Sequence, residues 1–291
     1  MRRRHFLLVV LAALASVVAL RLRRGQRSVV AREWPVNLAH RGASASAPEN
    51  TLEAFRLAVR SDAGGLELDV HLTHDGCPVV IHDPTLDRTT NLAGAVAGMG
   101  LKEVREADAG YVFTRDGGKT HPYRGIGLRI PTLAEVLREC PDVAVNIDMK
   151  ADRPGIEAAV LEVLRERDAA GRALVVSSRF GTVRRFRRIS GGRISTGASR
   201  RETAIFLLAS NLRLERLLVP DYDALQVPPT YRGMPLVTPH FVRAAHARNV
   251  RVDAWTINEK AQMRRLLDLG VDVIMTDRPE TLAELLAERK R

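Results

Sequence analysis

Cysteine is scarce in this sequence: Cys77 and Cys140 are the two in 291 residues, and neither lies in a C-x-x-C or comparable spacing. A cysteine-built metal or redox motif is thereby excluded, and two cysteines say little about compartment. Internal repeats and low-complexity tracts are also absent. The apolar run Phe6–Leu20 has fifteen residues, with Ser16 its one polar member. A spanning helix needs about 20, with a lower range near 17. What remains is ordinary globular composition, 45% hydrophobic and 27% charged. That length suits one large α/β domain able to bury a core without disulfides or structural metal.

The formal net charge is +11, but Arg2, Arg3, Arg4, Arg21, Arg23, Arg24 and Arg27 all flank the apolar run. The rest of the chain is mildly basic, so the charge points to an anionic membrane surface and away from nucleic acid. Leu22 and snorkelling arginine stems can lengthen the run. Residues 1–27 therefore read as an uncleaved membrane anchor. A signal peptide cleaved near Ala13-Leu14-Ala15 is one alternative and a peripheral helix another. Arginines on both sides leave the topology open.

Residues 28–35 read as a linker, and 36–291 as one domain. Eight β-rich runs can be read there: Val36–Ala39, Leu66–Val70, Val143–Met149, Ala173–Ser177, Arg193–Thr196, Ala224–Val227, Val250–Trp255 and Val273–Thr276. Helical signals lie between them. Thr51–Arg60 has an apolar face, Pro131 stands just ahead of Thr132–Leu137, and Thr238-Pro239 reads as an N-cap and N1 pair. Lys260–Leu269 ends at Gly270, and Asp277 and Pro279 open a last helix, Thr281–Arg289. Eight alternating units predict a (β/α)₈ barrel, the TIM-barrel architecture. A ninth run, Pro78–His82, follows Leu66–Val70 too closely for a parallel crossover. The Asp75-Gly76 turn makes it antiparallel. The glycine-rich stretch after it, residues 84–129, reads as an insertion covering the barrel mouth. The run Arg184-Arg185-Phe186-Arg187-Arg188 reads as the solvated face of an outer helix, with an auxiliary contact to anionic headgroups as the alternative.

Barrel enzymes carry their chemistry at the C-terminal ends of the strands. There the first run ends in His40-Arg41, the second holds Glu67 and Asp69, and the third holds Asn146, Asp148 and Lys150. Residues two apart on a strand face the same way. Converging Glu67, Asp69 and Asp148 repel one another unless a cation joins them, and oxygen ligands suit magnesium or calcium. His40 and His82 suit general acid–base work. Arg41 and Lys150 suit phosphate oxygens. His71 and His74 read as rim residues and His121 as structural, so all three are set aside.

The same residues carry a resemblance. His40-Arg41-Gly42-Ala43, Pro48-Glu49-Asn50-Thr51, Glu67-Leu68-Asp69-Val70, Val80-Ile81-His82-Asp83, Asp87-Arg88-Thr89-Thr90, Ile130-Pro131-Thr132-Leu133, Ala254-Trp255-Thr256-Ile257-Asn258 and Met275-Thr276-Asp277-Arg278-Pro279 resemble, in this order, the glycerophosphodiester phosphodiesterase family. The likeness covers about residues 36 to 287. It implies the same barrel, with a small insertion after the second strand. It also implies His40 and His82 as a catalytic pair, and Glu67, Asp69 and Asp148 as ligands of one divalent ion, Mg²⁺ or Ca²⁺. Asp148 stands where the family often has a glutamate. Arg41, Lys150, Glu49 and Trp255 fall to the substrate. The implied reaction is hydrolysis of a glycerophosphodiester to an alcohol and glycerol 3-phosphate. Alternatives are lysophospholipase D-type hydrolysis of lysophospholipids and, in a different class, a non-catalytic phosphate- or lipid-binding barrel. The implied partners are the small-molecule diester and, through the N-terminus, a membrane.

Overall fold

The computed structural model describes residues 34–150 and 153–290. The N-terminal apolar run lies outside them. Among the described residues no helix is long and apolar enough to cross a membrane.

The first units run β1 (Asn37–His40), α1 (Leu52–Arg60), β2 (Gly65–Leu72), β3 (Pro78–Val80), the one-turn α2 (Leu101–Val104), α3 (Leu133–Glu139) and β4 (Ala144–Met149). They are followed by α4 (Ile156–Glu166), β5 (Ala173–Val176), α5 (Phe180–Ile189), β6 (Ser195–Thr196), α6 (Arg200–Asn211) and β7 (Ala224–Val227). A small hairpin, β8 (Thr230–Tyr231) and β9 (Met234–Pro235), precedes α7 (Pro239–His246). The chain closes with β10 (Arg251–Ala254), α8 (Lys260–Asp268), β11 (Val273–Thr276) and α9 (Pro279–Arg289).

Among the described residues eight strands lie parallel in the order β6-β5-β4-β2-β1-β11-β10-β7. A parallel bridge from Gly197 to Ala224 joins the two ends and closes the barrel. Fully buried aliphatic residues, such as Leu66, Leu68, Val145 and Ile147, explain why these strands read as apolar runs. Threonines start several helices as expected: the hydroxyls of Thr51, Thr132 and Thr238 accept from the backbone N–H groups of Ala54, Glu135 and Phe241. Arg187, placed by the sequence on a solvated face, is instead buried. Phe186 beside it enters the core, and the Arg187 guanidinium meets Glu202 and Asp221, both at 2.6 Å.

β3 pairs antiparallel with the far end of β2, with Val70 opposite Val80 and Leu72 opposite Pro78. β2 therefore projects past the barrel. The segment between β3 and α3 packs on that projection around its own core of Val79, Ile81, Leu86, Val96, Val104 and Ile130. Two contacts tie it to the mouth: Arg88 to Glu49, and the Tyr123 hydroxyl to the Ser46 carbonyl at 3.4 Å.

Candidate active site

Strand register assembles the site. β1 lies beside β2 with His40 next to Glu67, and β2 beside β4 with Glu67 next to Asn146 and Asp69 next to Asp148. After β1 the chain turns through Arg41 (φ 57°) and Gly42 (φ 83°). A Cβ at Gly42 would come within 2.7 Å of Ala54, so this turn folds tightly against α1 and needs glycine. The backbone N–H of Arg41 donates to Glu67 Oε2 at 3.1 Å. Its guanidinium reaches Glu49 at 2.9 Å and Asp69 at 3.2 Å.

Each of the two histidines is held by a carboxylate. His40 Nδ1 lies 2.7 Å from Asp277 Oδ1, and His82 Nδ1 lies 2.6 Å from Asp83 Oδ1. Asp277 and Asp83 are both pulled down to about 2. For Asp277 burial pushes the other way, but hydrogen bonds from His40, Asn258 and Ser44 outweigh it. For Asp83 the Arg88 guanidinium is the main cause, with His82 adding to it. Ionised carboxylates only accept, so in both histidines Nδ1 carries the proton. That leaves each Nε2 as the working nitrogen, and His40 Nε2 faces Glu67 at 4.0 Å. Burial pulls the His40 pKa down, yet the Asp277 hydrogen bond and the Glu67 charge more than offset it, so the net shift is upward.

The three carboxylates differ. Asp69, fully buried, is held below the usual carboxylate range despite burial because Lys150, Arg41 and Asn50 all face it. Asn50 donates to Asp69 Oδ2 at 2.9 Å. Glu67 is pushed up to about 7 by burial and by the neighbouring Asp69 charge. Asp148 is raised, chiefly by burial. Lys150 Nζ bridges Asp69 at 2.9 Å and Asp148 at 2.7 Å, supplying the counter-charge in this arrangement. Asp148 Oδ1 is buried with no hydrogen-bond partner among the described residues. Among those residues no three His, Cys, Asp or Glu side chains are gathered into a finished metal cage. The donor chemistry nevertheless fits a hard divalent ion: the oxygens are all carboxylate, burial raises the pKa of both Glu67 and Asp148, and one Asp148 oxygen lacks a hydrogen-bond partner.

Glu49 does not stand alone near the mouth. It bridges Arg41 and a paired contact from Arg88 at 2.7 and 2.8 Å. Trp255 follows β10 and is 42% exposed, which makes it a rim residue and not a core aromatic. His71, read from the sequence as a rim residue, is buried. Its Nε2 meets the His82 carbonyl at 3.0 Å across the β2–β3 pair. The reason is the pairing itself: β3 covers the projecting end of β2, and burial lowers the His71 pKa, so the neutral ring donates. Sequence reasoning did not single out Asp277, Asp83, Asn258, Ser44 or Arg88 as site residues. Asp83 directly follows His82 and Asp277 directly follows β11, and these positions were the available signals.

Fold and site together define a (β/α)₈-barrel enzyme. Comparison with known proteins specifies which kind. The sequence profile of the Glycerophosphoryl diester phosphodiesterase family matches residues 40–281, and the chain belongs to that family. A glycerophosphodiester phosphodiesterase of Caldanaerobacter subterraneus is 35% identical over 254 residues, covering 86% of this chain and 96% of that protein. A probable glycerophosphodiester phosphodiesterase 2 of Mycobacterium tuberculosis is 34% identical over 258 residues, covering 87% and 91%. Among solved structures, the family domain of an uncharacterized M. tuberculosis protein shares the fold with a TM-score of 0.77 at 24% identity, covering 87% of this chain and 99% of that one. An Oleispira antarctica phosphodiesterase, solved with its product sn-glycerol 3-phosphate, gives a TM-score of 0.69 at 28% identity, covering 87% and 97%.

Proposed function

We propose that this chain hydrolyses water-soluble glycerophosphodiesters to an alcohol and glycerol 3-phosphate, with His40 and His82 as its proton-transfer pair. The observation that carries the reading is the pair of histidine–aspartate contacts. Asp277 and Asp83 each fix an Nδ1–H tautomer, leaving two Nε2 atoms to exchange protons with substrate. One histidine takes the proton from the oxygen that attacks phosphorus. The other gives a proton to the departing alkoxide as the phosphorus–oxygen bond breaks. Arg41, rigidly placed between Glu49 and Asp69, and Lys150 offer positive charge to the phosphate oxygens. Trp255 is positioned on the rim to contact the alcohol. Glu67, Asp69 and Asp148 are the residues that would hold one Mg²⁺ or Ca²⁺ ion, which when bound adds neutralising charge for the diester.

Residues 1–27 attach the barrel to a membrane on this reading. Trp34, where the described chain begins, lies under the barrel floor with its ring 4.2 Å from the Arg251 guanidinium carbon. The mouth is at the end opposite that attachment, which favours soluble diesters over lysophospholipids. The experiment is to follow release of glycerol 3-phosphate and choline by the purified chain from glycerophosphocholine, and of lysophosphatidic acid and choline from lysophosphatidylcholine. Faster turnover of the soluble diester supports the reading, and turnover of the lysolipid alone overturns the choice of substrate.

A further inference from the structure

Helix α6 is unusual among the outer helices for what it leaves in solvent. Ile205, Leu208 and Leu212 are 46%, 62% and 58% exposed, and the loop that follows adds Leu214 at 46% and Leu217 at 71%. Arg201, Ile205, Leu208 and Leu212 follow helical spacing and so form one stripe, opposite the buried Phe206 and Ser210. Contiguous exposed apolar residues of this kind mark a contact surface.

We propose that this stripe and the loop after it, residues 201–217, form a second membrane-contact surface that seats the barrel on an anionic bilayer. The charge pattern selects that occupant. Arg201, Arg213 and Arg216 rim the leucines, and none of them meets a carboxylate among the described residues. Exposed Arg184 and Arg188 continue the basic rim on α5. Glu202 is turned inward to Arg187, and Glu215 lies near His240. Leucines at acyl depth beneath snorkelling arginines at headgroup level are the chemistry of an interfacial helix. A second copy of this chain would bring the same basic rim against itself. The chain's own N-terminal run is flanked by seven arginines, so it too would meet like charge.

Topology agrees. Residues 212–218 lead from α6 to the start of β7, so they lie at the barrel floor, where Arg248 donates to the Arg216 carbonyl at 3.2 Å. Trp34 enters at that same floor, beside Arg251 at the start of β10 and packed against the cluster of Leu174, Val176 and Ala224. The described chain therefore begins on the side where Leu212, Leu214 and Leu217 are. Both contacts leave the catalytic mouth facing water.

The test is hydrogen–deuterium exchange of the full-length protein in three settings: detergent micelles, phosphatidylcholine vesicles, and vesicles with phosphatidylglycerol added. Amides of residues 204–218 should exchange at least about threefold more slowly on the anionic vesicles than in micelles, as lipid suppresses local opening. The protection should be lost in a Leu208→Gln/Leu212→Gln/Leu217→Gln variant. Turnover of a soluble diester should be unchanged in that variant, which shows that it folds. Equal exchange in all three settings overturns the proposal. Protection in micelles that grows with protein concentration overturns it in favour of a second copy, and concentration-independent protection in micelles overturns it in favour of the N-terminal run.

Discussion

Replacing Asp277 with asparagine probes the catalytic reading at a residue that need not touch the substrate. Asn258 is fixed by its neighbours: its Oδ1 accepts from the Asp277 N–H at 2.9 Å and from the Thr276 hydroxyl at 3.1 Å. Its amide nitrogen must therefore point at Asp277 Oδ2, which it meets at 2.7 Å. An asparagine at 277 has to answer with its carbonyl there, which turns its own NH₂ toward His40 Nδ1. The imidazole then accepts at Nδ1 and carries its proton on Nε2, the wrong tautomer for the nitrogen facing the site. The His40 pKa, no longer held up by Asp277, should also fall under the pull of burial. The loss expected in kcat is roughly 10² to 10⁴, the worth of a positioned acid or base. The assay is steady-state release of glycerol 3-phosphate, paired with an NMR titration of His40. Turnover of D277N within about threefold of the parent would falsify the tautomer argument, since one misplaced proton should cost at least about 1.4 kcal/mol, a tenfold change.

Four further outcomes are expected. His40→Ala and His82→Ala should each lower turnover by roughly 10² to 10⁴ while thermal unfolding changes little, and the double variant should lose less than the product of the two. His71→Ala should slow turnover roughly tenfold by leaving the half-buried His82 carbonyl without its donor. His71→Gln should recover part of that, and an unchanged His71→Ala rate would show that the hydrogen bond does not position His82. Asp277, depressed to about 2, gives stability that is present above its ordinary pKa and lost as pH falls through the folded value. D277N should therefore show a flatter decline in unfolding temperature between about pH 4 and 2, worth about 1 kcal/mol after discounting for water access. Equal acid sensitivity of the two proteins would contradict that assignment. Shortening the segment between β3 and α3 should change the choice of alcohol more than the unfolding temperature, and the reverse result would make that segment structural.

Much of the barrel was legible in the sequence because each parallel strand is buried on both faces and therefore reads as an apolar run. The antiparallel β3 was legible from the Asp75-Gly76 turn and a link too short for a crossover. Helix signals were clear where a threonine caps the start, as at Thr51, Thr132 and Thr238. They were weaker for α4 and α5, where neither Gly155 nor Arg179 caps the helix start with a side chain. The first two strand ends displayed His40, Glu67 and Asp69 together. Asp277 reaches His40 only because β11 closes the barrel against β1, a contact 237 residues apart in sequence. His71 was misread because alternation places it with Glu67 and Asp69 but cannot show that β3 covers that end of the strand. The burial of Arg187 was hidden for a similar reason, since its partners Glu202 and Asp221 come from later in the chain.

The central claim is that this barrel hydrolyses a glycerophosphodiester with a histidine pair beside a carboxylate-held divalent ion. The most direct measurement is glycerol 3-phosphate release from glycerophosphocholine by the purified protein before chelation, after exhaustive chelation, and after Mg²⁺ or Ca²⁺ is returned. The account predicts release that chelation abolishes and one of the two ions restores, with none regained when His40→Ala is given the same ion. Full activity after chelation, or no release under any of these conditions, would contradict it.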